Sequence, residues 1–134
     1  MNAVLDASAT VELLLDSAAA ADVREAIEAA SGQVHAPDHM PTEVLSAVRR
    51  LASRGIVAEA RALGALEDLT ALPMEYWPAL PLIGRAWQLR GDITPFDATY
   101  VALAEILGAV LITVDRPLAR AVAKVSTVRV ALVG

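Results

Sequence analysis

Five short runs in this chain are almost continuously apolar: Asn2 to Leu5, Gln33 to Ala36, Met74 to Trp77, Ala109 to Val114 and Val128 to Val133. A strand that shows one face to water alternates polar and apolar residues, whereas a strand covered on both faces reads as an unbroken apolar run. The segments around these runs repeat with a helical period, at 9–15, 18–30, 39–54, 57–70, 80–90, 96–107 and 117–124. Buried strands alternating with amphipathic helices predict an α/β fold, a three-layer α/β/α sandwich around a mainly parallel, roughly five-stranded sheet. Punctuation agrees: Gly32, Gly55, Gly91 and Gly108 sit where helices should stop, and Pro37, Pro95 and Pro117 sit before or inside the first turns of the next ones. With 134 residues and no linker or internal repeat, the expectation is a single domain over 1–134, burying roughly 65–70% of its unfolded surface.

Composition removes several function classes. Hydrophobic residues make up 56% of the chain and charged ones 20%, too apolar for a disordered protein. The most apolar stretch, "ATYVALAEILGAVLITV" at 98–114, carries Glu105 and Gly108, and reads as a helix, a stop and a strand rather than a membrane span. The N-terminus has no basic segment and places Asp6 and Glu12 where a signal peptide needs apolar residues, so a cytoplasmic protein is expected, with no membrane partner. The absence of cysteine removes disulfides, thiolate nucleophiles and Cys-ligated zinc. A net charge of −5 argues against a general binder of phosphate backbones. Lys124 is the only lysine, which leaves P-loop and Schiff-base chemistry without its cation. No Gly-x-Gly-x-x-Gly follows the first strand, so a dinucleotide site is unsupported.

Four acids stand out by position. Asp6 ends the first strand and Asp115 ends the fourth; Asp97 lies at the third position of the helix that follows Thr94, and Glu43 lies early in the helix after the second strand. In open parallel sheets, ligands bind outside the carboxyl ends of the strands, where helix N-termini also point. Each acid alone has an ordinary explanation as a helix cap, a capping-box partner or an answer to the helix dipole. Four carboxylates on one rim of an acidic protein would repel one another, and hard divalent cations with oxygen preference relieve that repulsion.

The stretches "VLDASA", "APDHMPTEVLSAVRR", "ITPFDATYVALAE" and "LITVDRPLARA" resemble, in order and spacing, the four acidic motifs of PIN-domain proteins, especially the VapC-type toxin ribonucleases of type II toxin–antitoxin systems. The resemblance spans nearly the whole chain. It implies an endoribonuclease that cuts single-stranded RNA by metal-activated water attack, with one or two Mg²⁺ or Mn²⁺ ions held by Asp6, Glu43, Asp97 and Asp115. It further implies Ser8 and Thr113 as hydroxyls that orient carboxylates or water, a homodimer, and a small cognate antitoxin that covers the acidic pocket. Some members carry a further acid two residues after the fourth motif's Asp; here that position is Pro117, which leaves a second ion with one ligand fewer. Rival readings are another metal-dependent phosphodiesterase, phosphatase or DNA nuclease on the same acids, and an inactive PIN-like module that only binds protein.

Other residues read as structural. His35 and His39 flank Pro37 at a strand end and loop, which excludes a helical zinc motif and leaves ordinary loop or surface histidines. Arg49, Arg50 and Arg54 could guide RNA or simply form a solvated helix face. Trp77 and Trp87 lie in apolar surroundings and are expected to pack in the core. The segment "TVELLLD", with the alanine-rich helix beyond it, is expected to offer an apolar face to a partner.

Overall fold

A computed structural model describes all residues from Met1 to Gly134. In chain order the elements are β1 (Ala3–Leu5), α1 (Ala7–Leu14), α2 (Ala20–Ala30), β2 (Val34–Pro37), α3 (Met40–Ser53), α4 (Glu59–Ala71), β3 (Met74–Trp77), a 3₁₀ turn (Leu80–Leu82), α5 (Ile83–Gln88), α6 (Pro95–Leu107), β4 (Val110–Thr113), α7 (Arg116–Val125) and β5 (Val130–Leu132). The strands form one sheet in the order β3-β2-β1-β4-β5, and every pairing is parallel. The three-layer α/β/α architecture follows from how the strands distribute their side chains. Successive residues of a strand point to opposite faces. Ala3, Leu5, Val110 and Ile112 accordingly join Val23 and Ala30 of α2 in a smaller core, while Val4 and Leu111 join Val44 and Val48 of α3, Val101 and Leu103 of α6 and Val122 of α7 in a larger one.

The central strands β1 and β4 are wholly buried, and the edge strand β3 is exposed beyond Met74. Helix α6 buries seven consecutive residues, Ala98 to Ala104, so it is apolar on every side and lies in the interior. No helix is long and apolar enough to cross a membrane. The chain builds β1, β2 and β3 in one direction and then returns to lay β4 and β5 on the other side of β1. The strand order therefore reverses between β1 and β4, and the crevice beyond their carboxyl ends is where such sheets bind ligands.

Several local expectations are corrected. The helix expected at 80–90 divides into a 3₁₀ turn (Leu80–Leu82), with Pro81 in its first turn, and α5 (Ile83–Gln88). The left-handed stop of α2 is taken by Ser31, at φ 56, and not by Gly32. Gly32 instead lets the chain start approach: a Cβ there would lie 2.6 Å from the Met1 carbonyl oxygen. Trp77 and Trp87 are not core residues, being 38% and 64% exposed. An apolar neighbourhood in sequence is not a buried one. Trp77 stands at the end of an edge strand, and α5 is so short that its buried face is filled by Ala86 while Trp87 lies outside under the Arg90 guanidinium, 4.1 Å from its ring centre. In "TVELLLD", Thr10 and Val11 are buried and Leu13 to Leu15 pack partly against the two cores, whereas Leu80, Ile83, Trp87 and Phe96 are exposed.

Candidate metal centre

Asp6 is the first residue after β1 and the N-cap of α1. Its backbone is extended (φ −80, ψ 169), and its Oδ1 accepts from the Ala9 backbone N–H at 2.9 Å and from the Ser8 hydroxyl at 2.7 Å. Its Oδ2 accepts from the hydroxyl of Thr113, the last residue of β4. The Thr113 oxygen in turn accepts from the Asp115 backbone N–H at 3.0 Å, so it ties the two strand ends together. Ser8 and Thr113, expected to orient carboxylates, thus both touch Asp6. Only 4% of Asp6 is exposed, and that burial pushes its carboxyl up from 3.8 to about 6, against the lowering effect of its hydrogen bonds and with a smaller push from Asp97.

The other acids arrive from three different helices. Asp115 caps α7, accepting from Leu118 N–H at 2.9 Å. Asp97 sits in the first turn of α6, which begins with Pro95 after Thr94, and its Oδ2 accepts from the Thr94 hydroxyl at 3.1 Å. Burial raises the Asp97 pKa, the Thr94 bond opposes this, and the negative charges of Asp115 and Glu43 raise it further. Asp97 therefore lies within the electrostatic reach of all three other acids, Asp6 included. Glu43 lies in the first turn of α3, where its Oε1 accepts from the Tyr100 hydroxyl at 2.7 Å and lies 2.8 Å from His39 Nδ1. Burial, then the bond to Glu43, pushes the Tyr100 phenol far above its ordinary value and keeps it a donor.

His39, expected to be an ordinary loop or surface histidine, does lie in the turn between β2 and α3, but its side chain is largely covered. It caps α3 with helical backbone angles, one turn before Glu43, so the two side chains meet as an i, i+4 pair. Its Nε2 lies 2.7 Å from the Thr99 hydroxyl, and its ring stands edge-on to Phe96 and Tyr100. His35 is likewise not at the surface. It is buried on β2, and its Nδ1 accepts from the Trp77 indole N–H at 2.9 Å. Sequence reasoning set His39 aside as structural and did not single out Thr99 or Tyr100; the four-residue spacing of His39 and Glu43 was the one signal available.

The acids border two openings. A cleft of about 460 Å³ is lined by Ser8, Glu12, Glu43, Ser46, Arg50 and Phe96 among others. A smaller one of about 170 Å³ is lined by Thr94, Asp97, Asp115 and Pro117 among others, with Pro117 in the place of a possible further acid. Asp6, buried, lines neither of them. No three acidic or histidine side chains are arranged to hold an ion in this conformation, and one oxygen of each of Glu43, Asp97 and Asp115 accepts from a donor of the protein itself. The donor chemistry still fits a hard divalent cation. Every candidate ligand atom is a carboxylate oxygen, and no arginine or lysine forms an ion pair with Asp6, Glu43, Asp97 or Asp115.

Comparison with known proteins gives a concordant picture. A family model described as PIN domain matches residues 3–124. Ribonuclease VapC12 of Mycobacterium tuberculosis (strain H37Rv) is 43% identical over 117 residues, covering 87% of this chain and 89% of the relative. Among solved structures, Mycobacterium tuberculosis VapC20, described as a Sarcin-Ricin loop cleaving toxin, superposes with a TM-score of 0.66 at 16% identity, covering 89% of this chain and 94% of that one. VapBC2 from Rickettsia felis, bound to a DNA fragment from its promoter, superposes with a TM-score of 0.69 at 12% identity over the full length of both chains. At such identities the two structures bear on the fold alone.

Proposed function

We propose, from the premise that this chain belongs to the PIN-domain family, that it is a divalent-metal-dependent endoribonuclease of a single domain, acting on single-stranded RNA as the toxin of a toxin–antitoxin pair. The observation that carries this reading is the placement of Asp6, Glu43, Asp97 and Asp115 around the reversal of strand order, with Asp97 feeling the charge of the other three. Caps alone explain Asp6 and Asp115. They do not explain why Glu43 and Asp97, from two further helices, share the same field.

Asp6, Glu43, Asp97 and Asp115 would hold Mg²⁺ or Mn²⁺, one ion or two. A bound divalent ion supplies activation of water near neutral pH and a clamp for the charge on the phosphate oxygens. The chain supplies the rest. Ser8 and Thr113 fix both oxygens of Asp6 by hydrogen bonds. The cleft beside Glu43 would receive the RNA strand, and Arg50, two turns along the same face of α3 from Glu43 and free of any ion pair, offers a donor to a phosphate. Unpaired RNA suits such an opening because its bases can be splayed apart.

The relatives named ribonucleases support the activity, and a small antitoxin is the partner that the resemblance to VapC-type toxins implies. A homodimer and a cytoplasmic site of action complete the proposal. The test is cleavage of a single-stranded RNA oligonucleotide with Mn²⁺, with Mg²⁺ and with EDTA. Metal-dependent products with 5′-phosphate and 3′-hydroxyl ends are expected; cleavage that survives EDTA, or 2′,3′-cyclic phosphate ends, would overturn the mechanism.

A further inference from the structure

The hydrogen bonds around Glu43 are one-sided. Both of its side-chain partners, the Tyr100 hydroxyl and His39 Nδ1, engage Oε1, while Oε2 takes part in no hydrogen bond, and Glu43 lines the cleft. The direction of the bonds at Thr99 can be assigned by counting protons. The Thr99 hydroxyl has one, and at 2.6 Å it goes to the Phe96 carbonyl oxygen, which can only accept. His39 Nε2, 2.7 Å from the same Thr99 oxygen, must then be the donor. Tyr100 donates its proton to Glu43 Oε1, and His39 Nδ1 lies 2.8 Å from that same oxygen. The imidazole is a rigid strut from α6 to the Glu43 carboxylate, and Phe96 and Tyr100 hold its ring edge-on at 5.1 and 5.5 Å.

We infer that His39 is a positioning residue for the metal centre, which pins Oε1 of Glu43 through Nδ1, is itself anchored through Nε2 to Thr99, and so presents Oε2 as a ligand oxygen. The inference rests on the reading of Glu43 as a metal ligand. Polar partners behind a ligand orient it, and their loss typically weakens metal affinity by about 10–100-fold. Because Thr99 and Tyr100 stand on α6, two and three residues after Asp97, the same clamp couples the position of Glu43 to that of Asp97.

The experiment measures Mn²⁺ binding directly, from the electron-spin-resonance signal of the free ion, on the full chain. Three variants are compared with the wild type: His39→Phe keeps an aromatic ring and removes both nitrogens, His39→Asn keeps a polar group near the Nδ1 position, and Thr99→Val removes the anchor while leaving His39 in place. His39→Phe should weaken Mn²⁺ binding by roughly tenfold or more, His39→Asn should recover most of that loss, and Thr99→Val should show a smaller loss in the same direction. In cleavage assays the half-saturating Mn²⁺ concentration should rise more than the rate at saturating metal falls. Thermal melts in EDTA show which variants fold; if His39→Phe does not, Thr99→Val and His39→Asn decide the matter. Wild-type affinity in His39→Phe or in Thr99→Val, or equal losses in His39→Phe and His39→Asn, would overturn the assignment. A wild type that neither binds Mn²⁺ nor cuts RNA refutes the metal centre and this role with it, whereas a wild type that does both beside an unaffected His39→Phe refutes the role alone.

Discussion

Replacing Asp6 by Asn should change the pH dependence of stability in a direction fixed by burial. In the metal-free protein the Asp6 carboxyl rises from 3.8 to about 6, with burial as the main cause. The native state then holds a proton that the unfolded chain has released, so this group adds stability below the unfolded value and loses it as pH rises through the folded one. At about 1.4 kcal/mol per pKa unit, the rise corresponds to roughly 3 kcal/mol. For a chain of this length, 1 kcal/mol moves Tm by roughly 4 °C, so the contribution is roughly 10 °C. Asn caps a helix about as well as Asp and keeps an oxygen for Ala9 and Ser8, but its amide meets the Thr113 hydroxyl that now donates to Oδ2. That mismatch costs about 1 kcal/mol at every pH. The clean measurement is therefore the mutant-minus-wild-type difference. In thermal melts in EDTA from about pH 4 to 7.5, Asp6→Asn should gain roughly 2–3 kcal/mol relative to the wild type as pH rises. A flat difference would refute the buried, uncompensated carboxylate. A difference of opposite sign would mean that a cation of the protein already pairs with Asp6.

Asp115→Asn and Asp97→Asn should fold and yet lose more cleavage activity than the roughly 10–100-fold expected for an outer hydrogen-bond partner; a Mn²⁺-induced rise in Tm equal to that of the wild type would remove the residue from the ligand set. Arg50→Ala should weaken RNA binding and reduce the salt slope by about 0.7, one single-strand phosphate contact, when measured by anisotropy in EDTA; an unchanged slope means that Arg50 only faces solvent. Gly32→Ala should destabilise the fold by more than 1 kcal/mol, on the scale of roughly 1–3 kcal/mol for overpacking, since the added Cβ meets the Met1 carbonyl oxygen; a denaturant melt that matches the wild type would refute the close approach.

The sequence by itself determined the features that depend on local chain chemistry. Apolar runs marked the five strands; for β1 and β4 the reason is that a strand covered on both faces has no polar side to show, whereas the edge strands β3 and β5 carry such runs while partly exposed. Asp6, Asp97 and Asp115 were placed at helix starts by capping and by Pro95 and Pro117, which are preferences of the first turn alone. Only the tertiary structure decided what meets what. The strand order that sets β1 beside β4 brings Thr113 to Asp6 across 107 positions, and the packing of α6 brings Tyr100 to Glu43 across 57 and Thr99 to His39 across 60. Periodicity reports that a face is apolar, not which element covers it. For that reason Trp87 read as core and lies outside, and His39 read as a loop residue and stands against Glu43. A hydrogen bond between distant residues has no period in the chain; it exists because two elements pack, and packing is a property of the assembled sheet and its layers.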